Sequence, residues 1–219
     1  MANFKTHTTL GIIVGFFFSA VCLLFSTITN IWIAFLIVFG CFVGSFLPDI
    51  DSNSGKPIKI FSVFFSFLFA IIGLYFFYKE NYKIEILISA PIIIFLIIWF
   101  PGTYLVKKLT KHRGIFHSIP MSFLSFLMLL FFLDFFKIPL KDKFIISLSV
   151  MIGYLSHLIL DEIYSLKLSK KKLLEKKKSF GTALKFYSKH KKTSIFVYIL
   201  ILIFLFLNKN FFEKMDIFL

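Results

Sequence analysis

The feature that most constrains this chain is a succession of apolar blocks separated by short polar turns. The blocks cover residues 10–25, 31–47, 58–78, 86–100, 118–133, 144–160 and 194–207. A hydrocarbon core of about 30 Å takes a helix of about 20 apolar residues, whereas barrel strands alternate over about ten. Continuous blocks therefore predict an all-α polytopic transmembrane helix bundle of about seven spans. Composition agrees: 58% of the 219 residues are hydrophobic, 34 are Phe and only 16% are charged, which excludes an ordinary soluble domain. Pro48 is expected to close the second span, Pro91 to kink the fourth, and Pro101 with Gly102 to end it.

Charge orders these spans across the membrane. Residues 166–192 carry eleven lysines spaced among apolar residues, the pattern of a basic amphipathic segment lying on a membrane surface. The chain thus divides into a bundle at 1–165, this surface segment at 166–192, and a last span with its tail at 193–219. Threading seven spans alternately puts eighteen Lys and Arg on one side and seven on the other. The richer side, with the N-terminus, is predicted to be cytoplasmic. A net charge of +14 then reads as topology signal and contact with anionic lipid heads rather than nucleic-acid binding, since base-reading motifs are lacking. Cys22 and Cys41 lie inside apolar blocks and imply no disulfide framework. The sequence Ser-Ala-Val-Cys at 19–22 has Val where lipoprotein processing needs a small residue, so the first block is expected to remain a span.

Within the sixth block a histidine and an aspartate interrupt the apolar run. His157 and Asp161 stand at i and i+4, on one helix face, and ionisable groups in a span need a reason. One reason is a hydrogen bond between helix neighbours; the other is a shared cation. The threading places three more clusters on the same membrane face: His7 before the first span, Asp49 and Asp51 after the second, His112 and His117 before the fifth. Taken singly, each has a plain structural reading as a helix start, an Asx turn or a solvated loop. Together, seven N and O ligands at one depth point to a metal centre between helix ends. They exceed the four of a usual zinc site, so two ions are expected, Zn²⁺ first, with Mn²⁺ or Fe²⁺ as alternatives. Arg113 is placed to fork onto a phosphate oxygen, with Lys185 adding charge, and Asp51 and Arg113 are the candidate catalytic groups. Tyr154 and Ser156 are candidates for orienting the ligands, or for packing alone.

Thr6-His7, Leu47-Pro-Asp-Ile-Asp51, His112-Arg-Gly-Ile-Phe-His-Ser118 and Gly153-Tyr-Leu-Ser-His-Leu-Ile-Leu-Asp161, in this order, resemble the inner-membrane metal-dependent hydrolase family that includes the LexA-regulated protein YdjM. The resemblance covers about the first 190 residues. It implies a bacterial inner-membrane protein with a metal centre. Phe116 departs from the Thr of many members, and Asp161 is followed by Glu-Ile-Tyr-Ser instead of a pattern with Thr, Pro and Gly, which suggests a subgroup. The function expected is hydrolysis of a phosphoester of a lipid at the cytoplasmic leaflet. The alternative is a divalent-cation transporter or a non-catalytic metal binder using the same ligands.

Overall fold

A computed structural model describes residues 3–28, 30–51, 56–102, 104, 115–167, 175–176, 181, 184–187 and 191–216. The described chain is all-helical but for one two-residue ladder. Its helices are α1 (Phe4–Leu24), α2 (Ile31–Gly44), α3 (Lys56–Lys79), α4 (Ile84–Ile97), α5 (Ile119–Leu133), α6 (Leu140–Ser165), α7 (Lys191–Leu207) and α8 (Lys209–Asp216). A 3-10 turn, Leu47–Asp51, follows α2, and a π turn, Ile98–Gly102, ends α4 at Pro101. Leu166 and Lys167 pair antiparallel with Lys176 and Glu175, so the described start of the basic segment is extended rather than helical.

Each expected apolar block falls in one of α1 to α7. By length and composition, however, four described helices can cross a membrane, or five if α7 and α8, bent by 56°, count as one span. The difference from seven lies in length: α5 has 15 residues, about 22 Å at 1.5 Å per residue. Of α3, the described apolar window is only Phe69–Lys79.

The helices group into two compact units, residues 1–48 with 115–219, and residues 49–114. In the first, α6 is central and packs against α1, α2 and α5. Lipid tails are as apolar as leucine, so such helices are held by close van der Waals contact, which small residues permit. Gly11 and Gly15 of α1 lie against Ser45, Cys41 and Val38, while Gly44 and Gly153 bring the backbones of α2 and α6 together. Cys41 Sγ donates to the Ser149 carbonyl at 3.1 Å, Gly44 abuts Val150 and Tyr154, and Ser45 meets His157. Residue numbers rise together along this seam, so α2 and α6 run parallel. α5 and α7 are also parallel, with Lys185 just before α7 accepting from the Ile119 amide and Phe131 edge-on to Phe204. Asn208 Nδ2 donates to the Leu127 carbonyl at 3.1 Å, where the bent α7–α8 pair meets α5. Leu127, Leu130, Val197, Ile201 and Phe211 form the core there. At the far end, the buried Lys143 reaches out to Asp134 at 2.8 Å.

The second unit is a helical hairpin of α3 and α4, turned at Asn81 with φ 55°. Phe67 packs edge-on against Phe95, and α4 has no buried residue, a surface suited to lipid.

Candidate metal centre

These helix directions bring the starts of α1, α5 and α7 and the ends of α2 and α6 to one end of the first unit. The imidazole and carboxylate groups converge there. His7 does not precede α1 as expected but lies inside its first turns. Asn3 caps the helix, accepting from the Thr6 amide at 2.9 Å and the Thr6 hydroxyl at 2.8 Å. The helix thus starts three residues before His7 and turns its ring inward, to 2% exposure. His157 and Asp161 also stand inside their helix rather than at the end of the apolar block, because α6 continues to Ser165. His117 comes from the short link ahead of α5, where Ser118 occupies the cap position and Pro120 the second helical position.

Asp161 is the hub. Its Oδ1 lies 3.4 Å from His7 Nε2, and its Oδ2 lies 3.9 Å from both His117 Nε2 and His157 Nε2. The His7 and His157 rings stack with centroids 3.6 Å apart, and His117 stands edge-on to His157 at 5.5 Å. All four side chains are buried. Two ligands about 2.1 Å from one tetrahedral ion stand about 3.4 Å apart. The set fits that spacing better than it fits hydrogen bonds, which weaken beyond about 3.2 Å. One ligand atom each from His117, His157 and Asp161 lies within 4.8 Å of the others. His7 Nδ1 is buried without a hydrogen-bond partner among the described residues, a group that needs an explanation in a packed interior. The donor set, three imidazoles and a carboxylate, suits Zn²⁺, Mn²⁺ or Fe²⁺.

Groups outside the ligand set hold these ligands, and of these the sequence pointed to Tyr154 but not to Ser45 or Glu162. The Ser45 carbonyl lies 2.7 Å from His157 Nδ1, which leaves Nε2 to face Asp161. The Gly44 and Gly153 contacts allow that approach, and the four-residue spacings of Gly11 with Gly15 and Gly40 with Gly44 are the signal that could have revealed it. Tyr154 donates its hydroxyl to the Phe116 carbonyl, next to His117, so it positions a ligand segment. Ser156, by contrast, bonds back to Gly153 in its own helix at 2.7 Å. Glu162, one residue past the hub, accepts from the Gly181 amide at 2.8 Å and the Leu184 amide at 3.3 Å. With the Lys185 carbonyl accepting from Ile119 at 3.0 Å, this straps Gly181, Leu184 and Lys185 to α6, which carries Asp161, and to the start of α5, which His117 precedes.

The structure therefore brings together four of the seven expected ligands within one unit. Asp49 opens the other unit, in the turn directly after Pro48, and Asp51 ends that turn with a side chain outside the described part. His112 and Arg113 lie outside the described residues, as does His190. Lys185 is half-buried and takes part in the strap through its backbone.

Fold and cluster together define a multi-pass α-helical membrane protein with three histidines and an aspartate buried at one end of its bundle. The chain belongs to the YdjM inner membrane protein family, whose model matches residues 1–214. No curated protein matches it, and no solved structure does.

Proposed function

We propose that the chain is a membrane-embedded, metal-dependent hydrolase that acts on a phosphoester of a lipid at the cytoplasmic leaflet. The observation that carries the metal reading is the buried convergence of His7, His117, His157 and Asp161 from three separate segments. These four would hold the first ion. Asp49 and Asp51, one and three residues past Pro48, are the carboxylates the sequence offers for a second. A divalent ion supplies hydrolytic chemistry by acidifying water and polarising an ester oxygen. Around it, the Ser45 carbonyl fixes the His157 ring and Tyr154 fixes the segment before His117. Arg113, two residues before Ile115, and Lys185 supply the positive charge that a phosphate requires.

The depth of the cluster supports hydrolysis over transport. A transport path needs ionisable groups near the midplane. Among the described residues, the buried polar groups between the cluster and the far end of the first unit are hydroxyls, such as Ser19, Ser122, Ser147 and Ser149, while Lys143 and Asn208 lie at that far end. The test is metal analysis of purified protein joined to a phospholipid product screen. Wild type is expected to hold one to two equivalents of transition metal and to release product. His157→Ala and Asp161→Ala are expected to lose both, and Asp49→Ala to lose only the second equivalent. Metal-free wild type, or metal content unchanged in all three variants, would refute the reading. Metal uptake into proteoliposomes without turnover would favour a transporter.

A further inference from the structure

Ahead of α7, Gly181 and residues 184–187 belong to no helix or strand, yet their backbone is tied to three helices. The Gly181 and Leu184 amides donate to the Glu162 carboxylate of α6, and the Lys185 carbonyl accepts from the Ile119 amide at the start of α5. The Phe186 carbonyl accepts from the Tyr198 hydroxyl of α7 at 3.0 Å. The side chains behave differently. Leu184, Phe186 and Tyr187 are 41%, 58% and 75% exposed, an apolar edge that the bundle leaves uncovered. A solvated loop has water to satisfy its backbone and gains nothing from a row of exposed apolar side chains. At the border of the hydrocarbon both features are required, because amides and carbonyls there need protein partners while apolar side chains need no cover.

The depth of this edge follows from α7. Lys191, Lys192 and Thr193 are exposed at its start, and from Ile195 onward its exposed side chains are aliphatic or aromatic. The border between headgroups and hydrocarbon therefore crosses α7 near Ser194. Tyr198 stands seven residues past Lys191, about 10 Å along the axis, and helical side chains tilt back toward the N-terminus. The Phe186 carbonyl that it holds thus lies about 5–10 Å below Lys191, a depth at which interfacial segments bury their apolar side.

Charge names the partner. Residues 166–192 hold eleven lysines against one acid, Glu175. A polybasic stretch beside an inserted apolar edge is drawn to anionic phospholipid, each lysine near the surface strengthening binding about fivefold. The anchors of the edge stand beside the cluster, since Glu162 follows Asp161 and Ile119 lies two residues past His117. We infer that residues 184–187 are a wedge through which anionic phospholipid, in the leaflet at the histidine end, braces the segments that carry those two ligands. Calling that leaflet cytoplasmic rests on the proposed function; the lipid contact does not require hydrolysis. Lipid that holds the wedge in its strapped position stabilises that position by mass action, so the Gly181 and Leu184 amides open less often where anionic lipid is present.

The experiment uses the full chain in nanodiscs, either of phosphatidylcholine alone or of phosphatidylcholine and phosphatidylglycerol in equal parts. Spin labels are placed one at a time through Tyr187→Cys, Phe196→Cys and Lys192→Cys, with native Cys22 and Cys41 buried. They report collision with membrane-soluble oxygen and with a water-soluble nickel chelate. The label at 187 is expected to favour oxygen, as at the lipid-facing 196, whereas the label at 192 favours nickel. Hydrogen exchange at Gly181 and Leu184 is expected to slow at least about fivefold in discs with phosphatidylglycerol. Phe186→Ser combined with Tyr187→Ser should abolish that slowing and leave metal content unchanged. A label at 187 as open to nickel as the one at 192, exchange equal in the two discs, or slowing that persists in the double variant would overturn the inference. If the double variant loses its metal, the single labels and wild-type exchange decide alone. Metal-free wild type with the expected labels and exchange would remove the hydrolase reading and leave the wedge standing.

Discussion

Replacing Gly153 with alanine tests whether helix contact, rather than the ligands alone, builds the cluster. An added Cβ would stand 2.7 Å from the Cα of Cys41 and closer still to its carbonyl oxygen, whereas ordinary contact begins at 3.4 Å. The obstacle is backbone, so it cannot swing aside, and the helices must part by at least about 0.7 Å. Four residues further along each helix, the Ser45 carbonyl and His157 Nδ1 lie 2.7 Å apart. The same parting stretches that contact to about 3.4 Å, outside hydrogen-bond range. Overpacking costs about 1–3 kcal/mol of stability. Losing the outer partner of a ligating histidine costs about 10–100-fold in metal affinity. The assay is zinc affinity by competition with a chelator, alongside thermal unfolding in the same detergent. Gly73→Ala is the control, because its new Cβ meets only the side chain of Ile94. If Gly153→Ala binds zinc as wild type does and unfolds at the same temperature, the claim that the α2–α6 seam sets His157 is refuted.

Two further variants separate the supports of the site. Tyr154→Phe removes one hydroxyl and keeps the ring, so it should lower zinc affinity about tenfold with little change in helix content by circular dichroism; unchanged affinity would make Tyr154 a packing residue. Glu162→Ala removes a charged acceptor from the Gly181 and Leu184 amides. Their hydrogen exchange should quicken at least tenfold, since bonds to charged groups contribute about 1.5–3 kcal/mol. Exchange as slow as in wild type would mean that the strap is held by other contacts.

The helices were legible because burial in lipid demands long apolar blocks, and the cluster was legible because His157 and Asp161 interrupt such a block at i and i+4. What escaped depended on contacts between distant segments. The start of α1 was misplaced because Lys5, Thr6 and Thr8 read as a polar leader, whereas Asn3 supplies the cap and the polar residues ride on the helix. Ser45 acts through its backbone carbonyl, which every residue has, so no side-chain pattern could mark it. Its marker was indirect, in the glycines that let α2 and α6 touch. Glu162 looked like a departure from the family pattern next to Asp161. Its role is set by amides 19 and 22 residues away, presented by a loop in which Gly181 takes φ 78°.

The count of crossings is the last point at which length and topology disagree, and helix direction decides what to expect. Pro48 ends the α2 segment and Ile115 leads into α5, both at the histidine end of the first unit. A segment that leaves and returns at one membrane face makes an even number of crossings. α4 is long and apolar enough to cross, so, with the histidine end taken as one membrane face, α3 is expected to cross with it. α6 is also long enough, and it ends at the histidine face. α5 begins at that face and is therefore expected to carry the chain over before α6 starts, although its 15 residues reach only about 22 Å. The turn between them, with Lys143 reaching to the exposed Asp134, would make up the remaining thickness. Cysteines introduced at the exposed positions Lys5, Glu80 and Lys137 report this directly, because native Cys22 and Cys41 are buried. A membrane-impermeant thiol reagent applied outside spheroplasts should label Glu80→Cys and Lys137→Cys, and Lys5→Cys only after lysis. If Lys137→Cys and Lys5→Cys were labelled from the same face, α5 would not cross; the histidine end could not then be one membrane face, and the depth argument for a lipid phosphoester would fail with it.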